Sequence, residues 1–336
     1  MKIDAGLMTA DLSQVPENAK RLEAQGYDGI VTAETAHDPF FPLLLAAEHT
    51  SRVELMTSIA VAFARSPMNL ANIGHDLNAY SKGRFILGLG SQIEPHIKKR
   101  FSMPWSSPAA RMRELILAMR AIWSCWHQGE KLNFRGDFYQ HTLMTPMFTP
   151  TDTQYGAPKV LLAAVGPLMT EVAGEVADGV IIHAFTTAKY VAEETLPAVE
   201  RGLAKAGRKR SDFQVAYPVF VVTGLDEKSW VQSRTAVTKQ IAFYGSTPAY
   251  RPVLEKHGWG DLQSELNAMS KRGEWDEMGK RITDDILEQF AVVGSPNEIP
   301  RMLKQRYGKQ VDRVLATFSF AGDDARRAAL EELRAK

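Results

Sequence analysis

Apolar residues along this chain recur in two alternating rhythms. Short runs such as DGIVTAE, RFILGLG, KVLLAAVGP and DGVIIHAF are apolar at nearly every position, the pattern of parallel strands covered on both faces. Between them the apolar residues fall every three or four positions, as on helices with one buried face. MKIDAGLM opens as a strand, and SQVPENAKRLEAQG follows as a helix with Val15, Ala19 and Leu22 inward and Gly26 at its end. The stretch Val53 to Gln92 is the clearest unit. VELMTSIAVAF and RFILGLG read as strands, joined by a helix that Ser66 caps, with Pro67 in its first turn, Leu70, Ile73, Leu77 and Tyr80 on one face, and Gly83 closing it. This βαβ unit delivers Ser58, Ile59 and Ala60, then Gly88, Gly90, Ser91 and Gln92, to one edge of a sheet. That edge is where α/β proteins bind ligands.

The rhythm breaks twice. Beyond Gln92 a connection leads to a strongly amphipathic helix carrying Met112, Leu115, Ile116, Met119, Ile122, Trp123 and Trp126, then to a small hairpin around Arg135, Gly136 and Asp137. A second insertion, Asp226 to Phe290, is mostly helical. Between them a long helix from Ala188 to Ala206 is expected to bend near Pro197, and FQVAYPVFVVTG supplies one strand. SPNE then offers a capping box with Ser295 as cap and Glu298 three residues on; DRVLATFSF reads as the last strand and DDARRAALEELRAK as a closing helix. The strand candidates number eight, which predicts a (β/α)8 TIM barrel.

Composition narrows the partners. The 336 residues are 45% hydrophobic and 24% charged, so a large core is available. Lys and Arg total 40 against 39 Asp and Glu, which leaves no electrostatic footprint for nucleic acid or an anionic membrane. A small-molecule substrate fits better. Cys125 is the only cysteine, so no disulfide forms within the chain. The opening MKIDAGLMTADL places Asp4 and Asp11 where a signal peptide needs an apolar run, and no stretch approaches ~20 apolar residues. A cytoplasmic location is expected.

Candidate chemistry clusters at strand ends. GLGSQI carries only part of a dinucleotide fingerprint, since Ile93 stands where the last glycine belongs. Its small residues should nevertheless let a ligand approach the backbone, and the amides of Ser91 and Gln92 can point at a phosphate. AAVGP, with Ala164, Val165, Gly166 and Pro167, repeats the arrangement at the next strand end, giving a divided anion cradle. Lys98, Lys99 and Arg100 lie just beyond the first turn and read as a solvated face or, alternatively, as contacts for a ligand's anionic tail. Glu34, His37 and His183 sit at or beyond strand ends and are the candidate proton donors or acceptors. His49, His75, His127, His141 and His257 are scattered, and with no HExxH or CxxC spacing no catalytic metal is predicted. Cys125, between Trp123 and Trp126, reads as core packing. Phe101 and Trp105 read equally as an apolar lid or as core, and Phe40, Trp105 and Tyr244 as walls of an apolar pocket. GxSxG, the mark of an α/β-hydrolase serine, is absent.

VELMTSIAVAFARSP with SKGRFILGLGSQ resembles the signature of the bacterial luciferase-like flavin and deazaflavin oxidoreductases, as do KVLLAAVGPLMTEVAGEVADGVI and VVGSPNEI. The resemblance runs through nearly the whole chain. TAETAHDPF, PWSSPAARMRE and AFYGSTPAYRPVLEKHGWGDL look like a subgroup assigned to coenzyme F420, the 8-hydroxy-5-deazaflavin. It implies a single barrel domain over residues 1–336, with insertions after strands 4 and 7. It also implies a bulge in the third strand with a cis peptide at Ser58–Ile59 behind the cofactor ring. The phosphate would fall to Ser91, Gln92 and the amides around Val165 and Gly166. The implied activity is hydride transfer between the deazaflavin C5 and a hydrophobic organic substrate. The alternatives are an FMN-dependent monooxygenase and a non-catalytic deazaflavin carrier. Sugar-phosphate dehydrogenases of the superfamily carry an Asp-His pair where this chain has Glu34 and Thr35, and a glutamate where it has Gln92 and Ile93, with Glu94 nearby. Their substrate and acid/base pair therefore do not transfer. A homodimer is expected, as in family members and as the commonest oligomer.

Overall fold

In the computed structural model residues 1–7, 11–316 and 322–335 are described. The strands, in chain order, are β1 (Lys2–Gly6), β2 (Gly29–Thr32), β3 (Glu54–Thr57), β4 (Ala60–Val61), β5 (Phe85–Gly90), β6 (Phe134–Arg135), β7 (Gln140–His141), β8 (Lys159–Ala164), β9 (Gly179–Ile182), β10 (Gln214–Pro218), β11 (Phe220–Val222), β12 (Ala291–Val293) and β13 (Arg313–Leu315). The main sheet runs β3-β2-β1-β13-β10-β9-β8-β5-β4, and β3 also pairs with β5, so the order returns on itself as in a (β/α)8 TIM barrel. Each of the eight runs read as strands from the sequence contributes one barrel strand, with β4 continuing the third after a break at Ser58 and Ile59. Every residue of β2, β5 and β9 is buried, as strands flanked by helices on one side and a filled interior on the other require.

By its internal contacts the chain divides into two compact units. The larger, residues 5–181 with 198–214, holds β2 to β8. Its helix Pro67–Tyr80 begins where the sequence predicts, with the Ser66 side chain accepting from the Asn69 amide. It ends in two left-handed residues, Lys82 and Gly83, of which only the glycine adopts that conformation freely. The helix Pro108–Gln128 buries the predicted stripe from Met112 to Trp126. Cys125, by contrast, is half-buried, so the core reading holds for its tryptophan neighbours and not for the thiol. The β6–β7 hairpin is held by Glu114, whose carboxylate accepts from the amides of Asp137, Phe138 and Tyr139. A Cβ on Gly136 would meet that carboxylate at 2.2 Å, which explains the glycine.

The smaller unit, residues 1–4, 182–197 and 215–336, contains β10 to β13 and an apolar cluster built on Phe185, Phe220, Ile241, Leu266 and Phe290. Within it β13 lies parallel between β1 and β10, and the buried Arg313 guanidinium grips Asp4 through two bonds of 2.7 and 2.6 Å. Two expectations are corrected here, on the strand run and on the capping box. FQVAYPVFVVTG is two strands, because after Pro218 the chain leaves the barrel and β11 pairs with β12 in a separate two-stranded sheet. A proline ends a ladder where an N–H is needed. The helix predicted over 188–206 is irregular next to Pro197, as expected, with a widened π turn at Val191–Thr195 just before that proline, which cannot donate to the preceding turn. Glu298 does reach back to the Ser295 amide, at 3.1 Å, but as part of a turn; the helix itself starts at Ile299.

Candidate active site

The larger unit brings three predicted segments together at the C-terminal ends of adjacent strands. Val61 of β4 lies opposite Gly90 of β5, and Leu89 of β5 opposite Leu162 of β8. Ser58–Ala60, Gly90–Gln92 and Ala164–Pro167 therefore form consecutive stretches of one rim. The peptide between Ser58 and Ile59 is cis. Ser58, Ile59, Ser91, Gln92 and Val165 are half-buried, Ala60, Gly90 and Ala164 buried, and Gly166 and Pro167 exposed.

The break between β3 and β4 is clamped from β2. The Ser58 amide donates to Thr32 O at 2.6 Å, and the Glu34 amide donates to Ile59 O at 3.1 Å. The Glu34 carboxylate then accepts from the Val61 amide at 2.7 Å, so one residue grips the chain on both sides of Ala60. Arg65 closes the clamp, donating to both Glu34 oxygens at 2.7 and 3.1 Å, to Asp38 at 3.1 Å and to Val61 O at 3.1 Å. Its guanidinium lies 5.2 Å from the Phe40 ring centroid. Only 6% of the Glu34 side chain is exposed, and its carboxylate is engaged by the Val61 amide and the Arg65 guanidinium. Phe40 is correspondingly the floor under Arg65 rather than an open pocket wall.

The glycines of β5 have a different purpose from the one the sequence implies. Thr57 Oγ1 donates to Gly88 O at 2.7 Å and accepts from Gly88 N at 2.9 Å, bolting β3 to β5 through one side chain. A Cβ on Gly88 would stand 1.8 Å from Thr57 O, and one on Gly90 would stand 2.9 Å from the Ile59 side chain. Both positions therefore need glycine for the approach of the neighbouring segment alone. What remains open is the next turn. Gln92 is left-handed at φ +60°, the Ser91 hydroxyl donates to Gln92 O, and the Gln92 side chain accepts from the Ile93 amide. At the β8 end Gly166 caps the helix Pro167–Val176 without any side-chain cap, and a Cβ there would meet nothing within 4 Å. The amides of Leu168 and Met169, in the first turn, have no intrahelical acceptor, which leaves this helix end without a side-chain cap.

Of the other candidates in this unit, His37 is exposed on the loop beyond β2. Lys98, Lys99 and Arg100 are exposed on a π turn, where Lys98 pairs with Glu94 and Arg100 donates to Thr35 O. Phe101 is half-buried under the Arg100 guanidinium. Trp105 packs edge-on against the buried Phe63, with centroids 5.7 Å apart. Two of the scattered histidines do meet, His75 lying 5.4 Å from His127 with its Nε2 3.1 Å from Asp152. Arg65 and Thr57 were not singled out from the sequence; the signal for Arg65 is a lone cation directly before the Ser66 cap.

In the smaller unit His183 follows the C-terminal end of β9. Its Nδ1 accepts from the Phe185 amide at 3.0 Å, and its Nε2 lies 3.2 Å from the Tyr250 hydroxyl. The imidazole stacks on Tyr250 at 4.7 Å and meets the edge of Tyr244 at 4.7 Å. Burial holds its pKa down at about 4, so the ring is neutral at pH 7 and is not an acid poised near neutrality. Tyr244 is a wall of this cluster, as the sequence suggests, but Tyr250 went unmarked. Its only signal is the turn dipeptide Thr247–Pro248 that starts the short helical turn carrying it.

A closed barrel of parallel strands surrounded by helices defines an α/β barrel scaffold, and comparison with known proteins specifies which. The family model described as luciferase-like monooxygenase matches residues 1–333, and the chain belongs to that family. It is 55% identical over 334 residues to an uncharacterized protein of Mycobacterium tuberculosis, covering 99% of this chain and 98% of that one. It is 28% identical to the 5,10-methylenetetrahydromethanopterin reductase of Archaeoglobus fulgidus, over 82% of this chain and 79% of the relative. Among solved structures, the coenzyme F420 dependent tetrahydromethanopterin reductase from Methanopyrus kandleri superposes with a TM-score of 0.76 at 21% identity, over 99% of this chain and 96% of that one.

Proposed function

We propose that this chain is a coenzyme F420-dependent oxidoreductase acting on a hydrophobic organic molecule. The observation that carries the reading is the rim of the larger unit, where an aliphatic residue, Ile59, is locked in place beside two turns able to receive an anion. The residues present fit a flat cofactor with a phosphate-bearing tail. Ser58, Ile59 and Ala60 would back the ring, and the Ser91 hydroxyl, Gln92 and the amides at Val165 to Met169 would receive the phosphate. The exposed Lys98 and Lys99 stand beyond that turn, in reach of solvent, and add positive charge for an acidic tail. The relatives named as reductases, one of them F420 dependent, favour the deazaflavin over FMN. When bound, a deazaflavin supplies or accepts a hydride at C5. The chain's own contribution is to orient the ring and exclude water, for which the Glu34–Arg65 clamp and the Trp105–Phe63 contact provide rigid support.

Fluorescence titration of the purified chain with F420 and with FMN separates the two family chemistries. Saturable binding of F420 with FMN at least ~100-fold weaker is expected, a gap of roughly 2.7 kcal/mol. FMN binding tightly while F420 does not bind overturns the proposal in favour of a monooxygenase.

A further inference from the structure

The cluster around His183 has a directionality that follows from its hydrogen bonds alone. A backbone N–H can only donate, so the 3.0 Å contact from Phe185 N requires an unprotonated Nδ1 on His183. A neutral imidazole with a bare Nδ1 carries its hydrogen on Nε2. That nitrogen faces the Tyr250 oxygen at 3.2 Å, so the phenol accepts from it. Among the described residues the Tyr250 hydroxyl has no other partner, and its own hydrogen is free to turn elsewhere. The imidazole thus acts as a fixed donor that aims a tyrosine.

The surroundings define what that tyrosine can meet. Tyr244 stands edge-on to Tyr250 with centroids 6.1 Å apart, Phe185 lies 5.7 Å from Tyr250, and Phe220 lies 6.4 Å from Tyr244. His183, Tyr244 and Tyr250 are each half-buried, so the cluster is neither sealed core nor open surface. Burial also pushes the Tyr250 pKa up to about 12, which keeps the hydroxyl protonated throughout the physiological range. Such a group donates a hydrogen bond but does not ionise. The rings that surround the Tyr250 hydroxyl offer a flat molecule with an acceptor oxygen aromatic faces and one hydrogen-bond donor.

We propose that Tyr250, oriented by His183, is the hydrogen-bond donor of an organic-substrate subsite, and that the subsite takes a flat, uncharged carbonyl compound through its oxygen. This deepens the oxidoreductase reading and rests on it for the word substrate. Tyr250 would touch the ligand; His183 is a positioning residue.

The test uses acetophenone labelled with carbon-13 at its carbonyl, added to the full chain with and without F420. In the wild type the bound carbonyl resonance is expected to move downfield, as a hydrogen bond to oxygen requires. Tyr250→Phe, which keeps the ring, should abolish that displacement and weaken acetophenone binding by roughly 3- to 10-fold, the range of one neutral hydrogen bond. The F420 affinity of Tyr250→Phe should equal that of the wild type, so a failure of cofactor binding in both proteins counts against the oxidoreductase reading and not against the subsite. An unchanged carbonyl resonance in Tyr250→Phe, or no binding of acetophenone to the wild type, overturns the subsite. Nitrogen-15 spectra of the wild type, with His183 assigned by comparison with His183→Gln, decide the question independently of the tyrosine variant. A neutral ring protonated on Nε2 at pH 7 supports the proposal; an Nδ1–H tautomer or an imidazolium refutes it.

Discussion

Replacing Glu34 by alanine keeps the backbone bond from its amide to Ile59 O but removes the carboxylate that holds the Val61 amide and Arg65. The Val61 amide, which donates to this carboxylate at 2.7 Å in a buried segment, loses its acceptor, a cost of about 1–2 kcal/mol. Arg65 loses two charge-assisted bonds but keeps Asp38 and Val61 O, and its side chain is 16% exposed, so about 1–2 kcal/mol is lost there instead of the full penalty of a buried unpaired charge. The sum predicts that Glu34→Ala destabilises the chain by about 2–4 kcal/mol, and that Glu34→Gln, which keeps one acceptor oxygen, costs about half as much. Urea unfolding midpoints at pH 7 for the three proteins measure the difference. Because the carboxylate holds the backbone immediately after Ala60, both variants should also, on the proposed reading, bind F420 more weakly, alanine more than glutamine. A Glu34→Ala protein within about 0.5 kcal/mol of the wild type would show that the carboxylate does not support this segment, and the site argument would lose its anchor.

Two further outcomes follow from the geometry. Gly88→Ala should fail to accumulate as folded protein or lose at least ~3 kcal/mol in the same urea assay, since its methyl would stand 1.8 Å from a backbone carbonyl that has no rotamer to move. Stability should fall on acidification through His183: its folded pKa of about 4 lies below the unfolded value near 6.5, so the unfolded chain takes up the proton first. The contribution is complete above pH 6.5, declines as pH drops toward 4, and amounts to roughly 2 kcal/mol lost at pH 5. His183→Gln should therefore show a shallower decline in urea midpoint between pH 7 and pH 5 than the wild type, and equal slopes would contradict the assignment.

The barrel is legible in the sequence because its signal is local. Continuous apolar runs such as Phe85–Gly90 can only be covered on both faces, and the capped helix after Ser66 fixes the crossover between two of them. The rim is legible for the same reason, since strand ends follow from strand positions. Roles at the rim are less so. Glu34 looks like a free acid in DGIVTAE, and only the fold brings Arg65, 31 positions later, against it. Gly88 looks like room for a ligand until the Thr57 carbonyl is seen to fill that room. Tyr250 and His183 are 67 positions apart, and a hydrogen bond across that separation leaves no periodic trace. The departure of β11 from the barrel after Pro218 was hidden because both halves of the run are equally apolar.

The reciprocal bonding of Thr57 with Gly88 narrows how this protein can be re-tailored. A protein engineer wishing to admit a bulkier or differently shaped coenzyme would ordinarily look to the glycines of the motif, as the cheapest places to carve or fill. Here those positions belong to the joint between two staves of the barrel, and any mutation library that randomises them spends its diversity on misfolded clones. Variation confined to Ile59 and the Gly166 turn leaves the joint alone and, on the proposed reading, is where altered coenzyme preference is to be sought.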